Sequence, residues 1–138
     1  DLHTAYRRQR QMCIETDHLQ YLNNLNKTLA NDHCFDEYEN VDCFKGTEDT
    51  DCNLGRWLYG EGAIEIGVLD NYEIEVIFRS LFEPHNRFHS VSQEAIKKRQ
   101  AGDKAGAQVL VAEMKEISTL LTSKMLKLEE ILQKLGLV

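Results

Sequence analysis

Apolar residues recur at helical spacing along most of this chain. Ile14, His18, Leu22, Leu25 and Leu29 step by four and three and share one face, which predicts a helix over about 2–29. His18 lies on that apolar stripe, so it points at a core and not at water. Ile74, Ile77, Leu81, His85, Phe88, His89 and Ile96 trace a second stripe and predict a helix over about 70–100. Pro84 lies inside it. A proline there frees the carbonyl of Ser80 and kinks the helix one residue before His85. Leu110, Met114, Ile117, Leu121, Leu128, Ile131 and Leu135 predict a long last helix over about 104–135, with Asp103 as its cap.

Between the first two helices the periodicity fails. Residues 30–51 are acidic and polar and read as a long loop, of the length that is usually functional or tied down. A short helix follows, with Thr50 or Asp51 as its cap and Gly60 at its end. It carries Cys52, Leu54, Gly55, Trp57 and Leu58. Gly55 in a helix interior costs about 1 kcal/mol against Ala, a choice that close packing against a neighbour explains.

The pattern predicts an all-α fold: an antiparallel four-helix bundle with one short extra helix carrying Cys52. The length of 138 residues suits one domain spanning 1–138. Sixteen basic against 23 acidic residues give a net charge of −7. With no basic block, nucleic acid is a poor partner. No apolar run approaches the about 18 residues that span a bilayer, and no signal peptide is present. The chain opens on Asp1, so it reads as a segment cut from a larger protein, with any membrane contact supplied by flanking segments.

Candidate chemistry is concentrated in three places. His85 and His89, at i and i+4, project from one helix face and can share a tetrahedral ion at about 2.0–2.1 Å each. Taken alone, they read more readily as core histidines bonded to backbone or water. His18 alone reads as a satisfied core histidine. Cys52, near a helix start, can hold the thiolate that binds metal, or serve as a small buried hydrophobe.

Taken together, these segments resemble the chemoreceptor zinc-binding domain family. Asp17-His18-Leu19-Gln20-Tyr21-Leu22 is similar to its first motif, a His followed three residues later by an aromatic. Cys52-Asn53-Leu54-Gly55-Arg56-Trp57 is similar to its Cys-x-hydrophobic-Gly-x-aromatic motif, and His85-Asn86-Arg87-Phe88-His89 to its His-x-x-x-His. The resemblance implies one zinc ion held by His18, Cys52, His85 and His89. It implies a sensory domain of a bacterial signal-transduction receptor, as in chemoreceptors and some diguanylate cyclases. Such a domain forms a homodimer and is linked to a downstream signalling module in the same polypeptide. It responds to zinc or to oxidants and has no catalysis of its own. A structural dimerisation bundle and a metal-dependent hydrolase are the alternatives. Three histidines and one cysteine fill a tetrahedron, whereas a catalytic zinc keeps a position open for water, which weighs against the hydrolase. Asp17 and Glu83 adjoin proposed ligands and are candidate acceptors for imidazole N–H groups.

The interval from His18 to Cys52 is longer than that family's. The surplus is the acidic loop with Cys34 and Cys43. A disulfide between them, two free thiols, or an auxiliary metal site with His33 are all open. A disulfide would persist in an oxidising compartment, which leads to the expectation of a periplasmic domain of a membrane receptor, with the cytoplasm as the alternative. Cys13 reads as a packed or surface thiol on a different face from His18.

Overall fold

The computed structural model describes residues 18–35, 43–48 and 52–136. The expected helix over 2–17, with Cys13, Ile14 and Asp17, lies outside the described residues. Every regular element among the described residues is helical, as the sequence predicts. Residues 18–30 form α1, followed by a 3-10 turn at Asp32–Phe35. α2 spans Asn53–Tyr59, α3 Glu61–Leu69, α4 Tyr72–Arg79, α5 Phe82–Gln100 and α6 Lys104–Lys134.

The single helix expected over 70–100 is two, α4 and α5, broken at Ser80–Leu81. Pro84 has no N–H to return to the Ser80 carbonyl, so the ladder is interrupted there. It sits in the first turn of α5, where an amide has no helical partner anyway. α4 has its own start: Asn71 accepts from the Ile74 amide at 3.1 Å. α3 fills a stretch to which the sequence assigns no element. It ends at Asp70, whose φ of 47° is the left-handed turn that separates α3 from α4. Asp103 caps α6 as expected, accepting from the Gly106 amide at 2.8 Å.

Two apolar cores are stacked along α6. In one, Leu22, Leu25 and Leu29 of α1 meet Phe88, Val91, Ala95 and Ile96 of α5 and Ala107, Val111 and Met114 of α6. In the other, Leu54 and Leu58 of α2, Ile66 of α3, and Ile74 and Phe78 of α4 meet Leu121, Met125, Leu128 and Ile131 of α6. Ile117 packs against both. α5 turns back onto α6 through 101–103, so those two are antiparallel. α1 runs in the same direction as α5, because His18, Tyr21 and Leu29 meet His85, Ser92 and Arg99 in that order.

The last of those contacts ends α1. Arg99 is buried, donates from Nε to the Leu29 carbonyl at 3.0 Å, pairs with Asp32 and lies over the Phe35 ring. It thereby satisfies a carbonyl that the helix end leaves without an amide. A hydrogen bond and charge from Lys104, with Arg99 beside it, hold the Asp32 carboxyl below its usual range.

Candidate metal centre

The break before α5 places His85 and His89 where the two cores meet. Both are buried on the inner face of α5, with ring centroids 4.8 Å apart. His18 comes from the first residues of α1, is also buried, and stacks at 5.7 Å on the His85 ring and 4.8 Å from Phe88. Phe88, fully buried between the two α5 histidines in sequence, forms the apolar side of the site.

Cys52 arrives from the other core. The residue that caps α2 is Cys52 itself and not Thr50 or Asp51: its Sγ accepts from the Gly55 amide at 3.3 Å. That N–H favours the thiolate over the thiol. The same Sγ lies 2.9 Å from His85 Nε2. Gly60 ends α2, as its position in the sequence predicts.

One ligand atom from each of His18, Cys52, His85 and His89 lies within 4.8 Å of the others. Four ligands at about 2.0–2.3 Å from one zinc ion sit roughly 3.3–3.8 Å from each other, so the set needs only a small contraction to close on a metal. The state of the nitrogens agrees. His18 Nε2 is buried with no hydrogen-bond partner among the described residues, a costly arrangement for a polar atom unless a donor or a metal ion takes up its lone pair. Burial, and then the neighbouring His89, push the His18 pKa down to about 4. The neutral imidazole, the form that binds metal, is therefore the form held here.

His89 is fixed from behind. Its Nδ1 donates to the Thr47 carbonyl at 2.9 Å, because a carbonyl can only accept. That assigns the lone pair to Nε2, the nitrogen that faces the centre. Thr47 belongs to the irregular segment 43–48, which lies across α1 and α5. Its amide donates to Tyr21 Oη at 3.1 Å, and Tyr21 Oη pairs with Ser92 Oγ at 2.8 Å. Gly46, with φ of +89°, makes this approach possible: a Cβ there would stand 2.6 Å from Tyr21 Oη and 2.9 Å from Ser92 Oγ.

The carbonyl of Thr47, with Tyr21 and Ser92 behind it, is what sequence reasoning misses. Of the acidic acceptors expected, Glu83 is exposed and Asp17 lies outside the described residues. A backbone carbonyl leaves no residue signature. The only signal for it is a lone glycine, Gly46, in a loop otherwise free of glycine.

Cys34 and Cys43 are joined as a disulfide with Cα atoms 6.0 Å apart, and Cys52 is not disulfide-bonded. Of the three openings for this pair, the bonded one is present. His33 beside it is exposed and joins no metal cluster among the described residues.

The sequence model of the chemoreceptor zinc-binding domain matches residues 18–96, more than half of the chain, from His18 past His89. No curated protein and no solved structure matches the chain. The match corrects one expectation. Domains of this family are cytoplasmic, so the periplasmic placement does not stand. The error lay in reading a disulfide as a marker of compartment, when cytosolic disulfides also occur as transient redox pairs. No helix among the described residues is long and apolar enough to cross a membrane. A zinc-binding family match that begins at His18, and three histidines and one cysteine that converge on one point, lead to one conclusion: this chain belongs to the chemoreceptor zinc-binding domain family.

Proposed function

We propose that this zinc-binding domain is a sensory module and that its signal is the state of the bond between zinc and Cys52. His18, Cys52, His85 and His89 hold the ion. A full set of four protein ligands leaves no open position for a substrate, so the module regulates and does not catalyse. Bound zinc supplies a charge that keeps the Cys52 thiolate deprotonated and ties three segments together.

The observation that carries this reading is the double duty of Cys52. It is the one soft ligand of the set and also the cap of α2. Oxidation of its sulfur alters a zinc ligand and the cap together, while protonation or displacement frees it from zinc. Leu54 and Leu58 of α2 belong to the core that α3, α4 and the second half of α6 also line, with Trp57 edge-on to Phe78 at 5.5 Å. A freed Cys52 thus alters the packing of α6, the longest helix, which can pass the change to a linked output module in a homodimer.

The test is Cys52→Ser in a protein that carries its output module, with the exposed His33→Ala as control. Zinc affinity should fall by more than the roughly 10–100-fold typical of losing an outer-shell partner. The response of the output to zinc or hypochlorous acid should be lost while the control behaves as wild type. If zinc affinity falls but the output is unchanged at every zinc and oxidant level, zinc is structural and the sensing role fails. If both variants weaken zinc equally, the ligand set is wrong.

A further inference from the structure

The segment that orients His89 is tied to the Cys34–Cys43 disulfide. Cys43 opens the run 43–48, and Thr47, four residues on, supplies the carbonyl for His89 Nδ1. Between them, the Phe44 carbonyl accepts from Thr28 Oγ1 at 2.6 Å, and the Phe44 ring meets Tyr21 edge-on at 4.9 Å. Gly46 is pressed against Tyr21 and Ser92. Cys34 is buried on the 3-10 turn that Arg99 and Asp32 fasten to the end of α1. The disulfide therefore gives this strap a covalent anchor on a fixed part of the fold.

The bond is also within reach of solvent. Cys43 is half-exposed, and both cysteines line an open cleft of about 230 Å³ whose other walls include Asn24, Lys27 and Asn31. A lysine beside a cysteine favours its thiolate and attracts anionic thiol compounds. In a cytoplasmic family such a pair is held against a reducing thiol pool, so its state follows the local redox balance.

We propose that Cys34 and Cys43 are a reversible redox pair that sets how firmly the zinc ligand His89 is held. In the oxidised state the strap is anchored and Thr47 accepts from His89 Nδ1. In the reduced state the anchor is lost, the strap loosens, and His89 becomes a weaker, less oriented ligand. The oxidant is a low-molecular-weight disulfide such as glutathione disulfide. The Cys43 thiolate attacks one of its sulfurs, breaking that S–S bond and releasing one thiol. The Cys34 thiolate then attacks Cys43 in the mixed disulfide and releases the second. The two cysteines lose two electrons and two protons, and the reagent disulfide becomes two thiols. Reduction is the reverse. This inference rests on zinc binding by the four residues named above, and it does not require Cys52 to be the sensed thiol.

The test uses the zinc-loaded chain, equilibrated anaerobically with reduced or oxidised glutathione and then desalted. Zinc release into excess chelator is timed. Mass spectrometry of alkylated, non-reduced peptides reports the state of residues 34, 43 and 52, and long-range proton–nitrogen NMR follows the His89 ring. With Cys52 reduced throughout, opening the Cys34–Cys43 bond should speed zinc release about 10-fold and shift the His89 Nδ1 resonance away from its hydrogen-bonded position. Cys34→Ala/Cys43→Ala should release zinc at the fast rate in either buffer. Gly46→Ala, which keeps the disulfide but lifts the strap, should match it and covers the case in which the double variant does not fold. Release rates within twofold in the two buffers, an unmoved His89 signal, or a redox response that survives in the double variant would each overturn the proposal. A redox effect that tracks oxidation of Cys52 alone would overturn it too, while leaving the sensing role of Cys52 intact.

Discussion

The two cores along α6 differ in kind. The one beneath α2, α3 and α4 is formed by buried Leu, Ile, Phe and Met meeting across four helices. The one between α1, α5 and the first half of α6 is threaded with buried polar groups: His18, Thr28, His85, His89, Ser92 and Arg99. Apolar packing tolerates small shifts, because its attraction is not directional. Buried polar groups stabilise only when every partner is in place, and cost when one is missing. The first core therefore holds without help, and the second depends on its hydrogen bonds and its metal. In the proposed ligand set, zinc would join them, with three ligands from the α1–α5 side and Cys52 from the α2 side.

Side-chain truncation should separate the cores most sharply. Phe88→Ala and Leu121→Ala each empty a fully buried position and should cost about 3–5 and 2–5 kcal/mol in urea unfolding. Only Phe88→Ala should also weaken zinc, because its ring packs on His18 and Tyr21. Equal zinc affinities in the two variants would remove the distinction between the cores.

Chelation comes next. Stabilisation by a ligand at about 100 times its dissociation constant is about 2.7 kcal/mol, so zinc removal should lower the melting temperature without unfolding the chain. Hydrogen exchange should speed up in α1 and α2 and stay slow at residues 121–132 of α6. Uniform acceleration would mean that the metal is integral to both cores.

A pH titration of the metal-free protein sharpens the same point. His18 holds its proton only below about 4 in the fold, against an ordinary 6.5. From pH 6.5 down to 4 the unfolded chain binds a proton that the folded chain does not. Stability is therefore full above 6.5, falls through that window by on the order of 3 kcal/mol, and levels off below 4. His85, His89 and Cys52 are the groups that face His18 in the site. His18→Gln should flatten the profile; an unchanged slope would assign the acid sensitivity elsewhere. Smallest, Asp103→Ala removes the α6 cap and should cost about 1 kcal/mol. Zinc affinity should not change, and a measurable loss would show that the end of α6 is coupled to the centre.

Legibility in the sequence followed the kind of interaction. Stripes of Leu and Ile report burial directly, so the faces of α1, α5 and α6 were readable from their spacing. The convergence of His18, Cys52, His85 and His89 was readable because Cys and His are rare residue types to meet in helical register. α3 was not, because Gly62 and Gly67 weaken its propensity and only Ile66 and Gly62 are buried. The single helix expected over 70–100 was half right: Pro84 marks the interruption, but the break falls at Ser80–Leu81, where the missing hydrogen bond would have closed. The cap of α2 was misassigned because Thr50 and Asp51 are better capping residues by type, while Cys52 is fixed by its place between His85 and Gly55. The Thr47 carbonyl was invisible, since main-chain groups are common to every residue.

The length of α6 has a mechanical consequence. At about 1.5 Å per residue, its 31 residues make a rod roughly 46 Å long. Ile117, near its middle, touches both cores, so the rod is seated on either side of a natural fulcrum. A tilt of about one degree moves one end against the other by roughly 0.8 Å over that length. A displacement too small to break any contact at the fulcrum is thus magnified at the tips, where a neighbouring helix would register it.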